Sequence, residues 1–473
     1  MRKLSFLFLL STLILISACS NPAKAPKAKY VFLFIGDGMG TNQVYSTQLF
    51  KAALEGKSDL AELNFTTFPV QSHMTTYSAN SRVTCSAASG TALATGNKTN
   101  NGVLGKDTSL TISYESVAEK AKKAGYKVGI LSSVGINHAT PGSFYAHQNS
   151  RGMYYEIAKE LPLSGFDYFG GGGFINPTGR DKSLPDAYQL ATEAGYTLAN
   201  TPEAIEAVKS GDEKVFAVNP GIYPGGDFFW RIDNKEESLS LAHFVKKGIE
   251  VLNNPQGFFM MVEGGKIDWA CHSNDAATSI HETLDFDKAV AEALAFYRQY
   301  PDETLIIVTA DHETGGMIVG NGHKVDVSLL QYQNISAQEF GRTLVHFKEN
   351  NPKATFDEVM ALVQKHFGLG DADKGLALTP EEVKQFKTVY TELFTGDKGL
   401  NPDKNYLATN ESPTLPDLAL NVLSQKAGIS WASNDHSGTP VPVFALGQGQ
   451  NYFGSRIDNT DIPKIVGKVM GVE

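Results

Sequence analysis

The stretch Thr304-Leu305-Ile306-Ile307-Val308-Thr309-Ala310-Asp311-His312 constrains the fold more than any other. An uncharged run of apolar and β-branched residues leads straight into two metal-type ligands. Such a run fits a strand buried on both faces of a parallel sheet, because a half-exposed strand would alternate apolar with polar. In open α/β sheets, ligands gather beyond the carboxyl ends of the strands. A carboxylate and an imidazole delivered there suit a zinc-like ion. The pattern recurs. Val31 to Ile35 runs into Gly36-Asp37-Gly38, and Phe258 to Val262 runs into Glu263, with Asp268 and His272 close behind. Several buried strands that each deliver acid or histidine to one edge would build a polynuclear metal site.

Further strand-like runs lie at 127–132 and 441–446, with helical patterns between runs, for example Tyr114 to Ala124 and Phe286 to Arg298. The alternation predicts an α/β fold, a three-layer sandwich of helices around a mostly parallel central sheet. With 473 residues, 42% hydrophobic and 19% charged, the chain is globular and can bury a large core. Residues 322–430 differ from the rest. They are helix-rich and polar, and they read as a cap-like insertion near the active-site edge of a domain spanning 30–473. Within it, Asp371 to Glu382 hints at a calcium loop, but Leu376 stands where an EF-hand needs glycine. A turn ahead of a helix capped by Thr379 is the expectation there. The formal net charge of −10 argues against a nucleic-acid-binding surface. It does not exclude an anionic substrate, because bound cations reverse the local sign.

At the N-terminus, Arg2 and Lys3 precede an apolar run from Leu4 to Ile16, too short for a convincing transmembrane helix. Leu15-Ile16-Ser17-Ala18-Cys19 resembles a bacterial lipobox. That match implies a lipoprotein signal peptide at 1–18, a lipidated Cys19 attached to membrane, and a tether at 19–29. An ordinary signal peptide cut elsewhere is the alternative. Ser20 is not Asp, which leans toward a periplasmic, outer-membrane-anchored lipoprotein; exposure on the cell surface stays open. Cys85 and Cys271 are read as two free thiols.

Three further segments carry chemistry. Val83 to Ala92 places small residues and Ser86 at the start of a helix, where free backbone N–H groups and the helix dipole stabilise an anion. A serine is a weak nucleophile unless a base or a metal activates it, so by itself this segment would be a closely packed helix start. Asn137-His138-Ala139-Thr140-Pro141 is followed by His147 and Arg151. The planar fork of Arg151 matches two phosphate oxygens, although alone it would be an ordinary surface arginine. Asn434-Asp435-His436-Ser437-Gly438 lies just before the run at 441.

Taken in order, Asp37 in Asp-Gly-Met-Gly, Ser86 in Cys-Ser-Ala-Ala-Ser, Thr140 in His-Ala-Thr-Pro, Arg151, Glu263 with Asp268 and His272, Thr-Ala-Asp-His at 309–312, and His436 resemble the alkaline phosphatase family. The likeness runs from about residue 30 to 320 and again from 430 to 450. It implies an alkaline-phosphatase-like fold and a homodimer. It also implies two Zn2+ ions, one held by Asp268, His272 and His436 and the other by Asp37, Asp311 and His312. A Mg2+ would share Asp37 with Thr140 and Glu263. The implied activity is hydrolysis of a broad range of phosphate monoesters through a phosphoserine on Ser86, with Arg151 holding the phosphoryl oxygens.

The chain departs from that pattern in three places. Cys85 stands where many relatives have an aspartate that orients the arginine, so weaker phosphate binding is expected. His138 replaces an aspartate and Trp269 a lysine near the third ion. Both are read as modulators of that site, and His138 as a possible ligand. His147 and Glu313 are expected to support the site. Cys271, His73, His243, His281, His323, His346 and His366 are expected to be structural or at the surface. A sulfatase would need a Cys/Ser-x-Pro-x-Arg segment, which Cys85 to Ser89 lacks. A phosphodiesterase would often lack the clamping arginine, and a phosphate- or metal-storing lipoprotein would have lost a ligand or the nucleophile.

Overall fold

Uninterrupted apolar strands need cover on both faces, and the chain supplies it. A computed structural model describes residues 27–236, 238–320, 322, 325–394 and 414–473. The expected signal peptide, Cys19, most of the tether and His323 lie outside these residues. In chain order the strands are β1 Tyr30–Gly36, β2 Val70–Thr75, β3 Lys127–Ser132, β4 Tyr168–Gly171, β5 Thr197–Ala199, β6 Val215–Val218, β7 Phe258–Gly264, β8 Thr304–Thr309, β9 Glu313–Thr314, β10 Met317–Val319, β11 Ile429–Trp431, β12 His436–Ser437, β13 Val441–Gly447 and β14 Ile457–Asp458. Ten of them form one sheet in the order β14-β2-β13-β8-β1-β7-β3-β4-β6-β5. Every pairing is parallel except those of β13, which runs antiparallel to both β2 and β8. The predicted mostly parallel sheet is what the chain forms.

Side chains on a strand alternate between faces, and here both sets are buried. Tyr30, Phe32 and Phe34 of β1 meet Phe296, Phe296 and Phe286 of the helix Ala276–Tyr297 at ring distances of 4.9, 5.7 and 5.8 Å. In β7, Phe258 turns to Phe296 at 5.5 Å, while its neighbour Phe259 turns to Phe144 at 6.2 Å on the other face. Helices Leu241–Leu252 and Ala276–Tyr297 pack together on the first face, and helices Ser86–Thr95, Val117–Lys123 and Asp461–Met470 pack together in the other layer. The helix expected from Tyr114 begins at Val117, because Ser116 caps it by accepting from the Glu119 N–H.

The insertion closes on itself. Its ends are tied by antiparallel β10 and β11, with Met317 opposite Trp431 and Val319 opposite Ile429. Helices Ala337–Asn350, Phe356–Phe367, Pro380–Phe394 and Leu415–Lys426 build a second core around Phe340, Val363, Phe367 and Leu423. That core leans on Phe50, Ala270, Ala277 and Ile280 of the main domain. Thr379 caps the helix from Pro380 as the sequence predicts, its hydroxyl accepting from the Glu382 N–H at 3.2 Å.

A charged cluster ties down the loop that leads to Arg151. His147 lies between Glu119 and Glu160, with N···O distances of 3.5 Å to each. Its backbone N–H also donates to Glu160 at 2.9 Å. Burial works against the charged imidazole, but the bonds and charges of the two glutamates outweigh it and raise the His147 pKa to about 10. An unfolded histidine titrates near about 6.5. The stability from this cluster is therefore complete below that value and is lost as pH rises toward 10. A His147→Gln variant should show a flatter decline in melting temperature between pH 7 and pH 10 than the wild type, measured at fixed ionic strength. An equally steep decline would show that other groups set the alkaline limit.

Candidate metal centre

Four neighbouring strands, β8, β1, β7 and β3, converge with their carboxyl ends on one place. Asp37 follows β1, Glu263 ends β7, and Asp311 and His312 follow β8. Thr140 sits in the short helix Ala139–Gly142 beyond β3. Asp268 and His272 lie four residues apart on the helix Lys266–His272, which follows β7 directly. His436 arrives on β12, which pairs with β9 just past the Asp311-His312 pair.

Possible ligand atoms in three groups come within 4.8 Å of one another: Asp268, His272 and His436; Asp37, Asp311 and His312; and Asp37, His138 and Glu263. In the first group, His272 Nε2 is 3.3 Å from an Asp268 oxygen and 3.2 Å from His436 Nε2. In the second, His312 Nε2 is 3.4 Å from Asp37 and 3.3 Å from Asp311. Asp37 belongs to both the second and third groups. Thr140 Oγ1 is buried beside the third and has no hydrogen-bond partner. The structure thus brings Asp37, Thr140, Glu263, Asp268, His272, Asp311, His312 and His436 together with Ser86 and Arg151, and it adds His138 to the third group.

The donors fit bound cations. Both carboxylate oxygens of Asp37, Asp311 Oδ2, Glu263 Oε1 and Thr140 Oγ1 are buried without a hydrogen-bond partner. Buried polar atoms normally find one, and a cluster of them marks a site for an ion. Burial and the neighbouring carboxylates Asp311, Asp268 and Glu263 push Asp37 well above the usual carboxylate range. Burial likewise raises Asp311 to about 7 and Glu263 to about 8. Asp268 goes the other way. Burial would raise it, but the charge of His272, with His436 and His312, holds it well below the usual range.

The histidines are aimed by bonds to their far nitrogens. His272 Nδ1 is 2.5 Å from the Asn434 carbonyl and His436 Nδ1 is 2.9 Å from the Thr84 carbonyl. A carbonyl only accepts, so each Nδ1 carries the proton and each Nε2 is left to face the group. Thr314 Oγ1 donates to Asp268 at 2.5 Å and therefore accepts from His312 Nδ1 at 3.2 Å. Asp311 Oδ1 takes the N–H groups of Gly38 and His312, which leaves Oδ2 turned inward. Gly38 is in the left-handed region at φ 72°, and a Cβ there would lie 2.8 Å from the Asp268 Cα. Only glycine lets this loop pass so close. The sequence reading missed Thr84, Asn434 and Ser132, whose hydroxyl donates to Glu263. Two of these three act through backbone carbonyls, which leave no mark on residue type.

Ser86 opens the helix Ser86–Thr95, as its small neighbours suggest. Cys85 makes no side-chain capping bond, so the N–H groups of the first turn keep their capacity for an anion. Ser86 Oγ is 3.3 Å from His312 Nε2. Arg151 donates to His138 Nε2 at 3.1 Å, and its backbone N–H to Gly102 at 2.7 Å. Cys85 Sγ accepts from that same Gly102. His138 stacks over Tyr154 and meets the edge of Trp269 at 5.9 Å. Cys85 and Cys271 are free thiols, and Glu313 braces the site by accepting from Gln43 at 2.8 Å.

The sequence model described as alkaline phosphatase matches residues 28–167 and 178–472. Alkaline phosphatase 4 of Bacillus subtilis is 31% identical over 451 residues, covering 93% of this chain and 88% of that protein. The rat tissue-nonspecific alkaline phosphatase is 29% identical over 334 residues, 60% of this chain and 63% of that protein. Among solved structures, the cold-active alkaline phosphatase of a psychrophilic Shewanella sp. superposes with a TM-score of 0.76 at 26% identity, covering 93% of this chain and 99% of that one. The enzyme of the Antarctic bacterium TAB5 does so with a TM-score of 0.65 at 25% identity, covering 94% and 99%. The chain belongs to the alkaline phosphatase family and is a metal-dependent phosphatase.

Proposed function

We propose that the protein hydrolyses a broad range of phosphate monoesters through a phosphoserine on Ser86, at a centre that takes two zinc ions and one magnesium. The observation that carries this reading is the place of Ser86 Oγ, at a helix N-terminus and 3.3 Å from His312 Nε2 of the second ligand group. Asp268, His272 and His436 would hold one zinc, and Asp37, Asp311 and His312 the other; mixed imidazole and carboxylate sets suit that ion. Asp37, Glu263 and Thr140 form an oxygen set that suits magnesium, with His138 at its edge. When bound, the cations would lower the pKa of an adjoining hydroxyl or water and offset charge on the phosphoryl oxygens.

The chain's own residues account for the rest. Ser86 Oγ attacks phosphorus in line as the bond from phosphorus to the ester oxygen breaks; the serine proton passes to solvent, and the departing oxygen takes one from solvent and leaves as the alcohol. Arg151, held on one edge by His138, directs its remaining N–H groups at the non-bridging oxygens. The N–H groups at the start of helix Ser86–Thr95 face the same charge. Water then attacks the phosphoserine from the opposite side, Ser86 leaves with a proton, and inorganic phosphate is released. No contact with the leaving group is needed, so many monoesters should serve.

The lipobox-like segment supports a lipid anchor at Cys19, and Ser20 after it leans toward the outer membrane. Four outcomes check these readings. Ser86→Ala should lower p-nitrophenyl phosphate turnover by about a thousand-fold or more while keeping its metal content. A chelator should abolish wild-type activity and zinc with magnesium should restore it, whereas better turnover of a phosphodiester would overturn the monoesterase reading. Cys85→Asp, which offers the guanidinium a carboxylate, should tighten inhibition by inorganic phosphate; unchanged inhibition would remove Cys85 from the account. Cys19→Ala should move the protein from the membrane to the soluble fraction, and retention in the membrane would refute lipid anchoring there.

A further inference from the structure

Helix Lys266–His272 carries two of the candidate ligands and is 7 residues long. A helix that short has almost no stability of its own, so its direction comes from whatever holds its ends. At its N-terminal end, the fully buried Lys266 donates to Asp227 at 2.7 Å and lies 3.7 Å over the Trp230 ring. Trp230 Nε1 in turn donates to Gln338 Oε1 at 2.8 Å, on the first helix of the insertion. At its C-terminal end, the Asp275 N–H donates to the Ala270 carbonyl at 2.9 Å, and the Asp275 carboxylate accepts from Gln333 Nε2 at 2.9 Å. Gln333 also belongs to the insertion. Ala270, between the two ends, is buried against the insertion core. Among the described residues, neither glutamine bonds to Ser86, Arg151 or a candidate ligand.

We propose that the insertion is a positioning clamp for this helix: through Gln338 and Gln333 it sets how tightly the Asp268, His272 and His436 group retains zinc, without touching the ion or the substrate. The proposal rests on the reading of that group as a zinc site. Its physical basis is that metal affinity falls by about ten- to a hundred-fold when a partner that orients the ligands is removed. Here what is oriented is a whole ligand-bearing helix, and the insertion grips it at both ends.

The test is zinc release from the purified holoenzyme to an excess chelator, followed with a zinc indicator. The phase belonging to this group is the one missing in Asp268→Asn. Gln333→Leu/Gln338→Leu should accelerate that phase about ten-fold or more and leave the other phase unchanged. Gln338→Glu still accepts from Trp230 and should release zinc at the wild-type rate. Gln333→Glu, which faces Asp275 with a like charge, should release faster than Gln333→Leu. A folded double variant with wild-type release, or one that accelerates both phases alike, overturns the clamp. If the double variant does not fold, the single variants are read by the same criteria. If wild type shows no phase that depends on Asp268, the zinc reading falls and the clamp with it.

Discussion

Four carboxylates, Asp37, Glu263, Asp268 and Asp311, are buried at one edge of the sheet. Taking one such charge out of water costs several kcal/mol by general estimates, roughly, and like charges add to the cost. Arg151 is the permanent cation whose field reaches Asp37 and Asp268. A single arginine cannot offset four acids. The cluster is therefore tenable only with added cations or with protons, and burial together with the neighbouring carboxylates pushes Asp37, Glu263 and Asp311 upward. The rest of the molecule serves this edge. The parallel strands bring four chain segments to one place, and the buried loops keep water from screening the charge.

Concentrating charge does not by itself give a usable geometry, and the second layer of bonds supplies that. The three imidazoles of the first two groups present Nε2 because Asn434, Thr84 and Thr314 engage Nδ1. Thr84 stands two residues before Ser86, so one carbonyl links the aim of His436 to the segment that carries the nucleophile. His312 and His436 stack with ring centroids 3.6 Å apart. The two groups are thereby built as one unit. The loop to Arg151 is anchored independently, by His147 between two glutamates and by Gly102, which also engages Cys85.

The insertion has its own core, yet it is not a separate body. Its ends meet in the β10–β11 pair, two glycines beyond Thr314 of β9, and its apolar face rests on Ala270 and Ile280. Asp233 accepts two bonds from Ser336 at 2.7 and 2.9 Å, a third tie between insertion and main domain. An element that leans on the ligand helix from outside can influence the site while leaving the chemistry to other residues.

The five strand runs visible in the sequence are the five longest buried strands or lie within them, because full burial demands an unbroken apolar run that is easy to see. β2 escaped notice, since its residues Gln71, Ser72 and His73 are polar, and so did β4, which is four residues long and ends in two glycines. Asp37, Glu263, Asp311 and His312 were legible for a related reason: each stands where an apolar run ends, in a short motif of unusual chemistry. What the sequence by itself determined is therefore local, namely which segments are buried strands and which residues end them. The tertiary structure alone decided that Thr84 would orient His436 and Asn434 would orient His272. It also decided that His138 would join Asp37 and Glu263. Those contacts join residues far apart in the chain through backbone atoms and packing, and neither leaves a trace in the identity of any single residue.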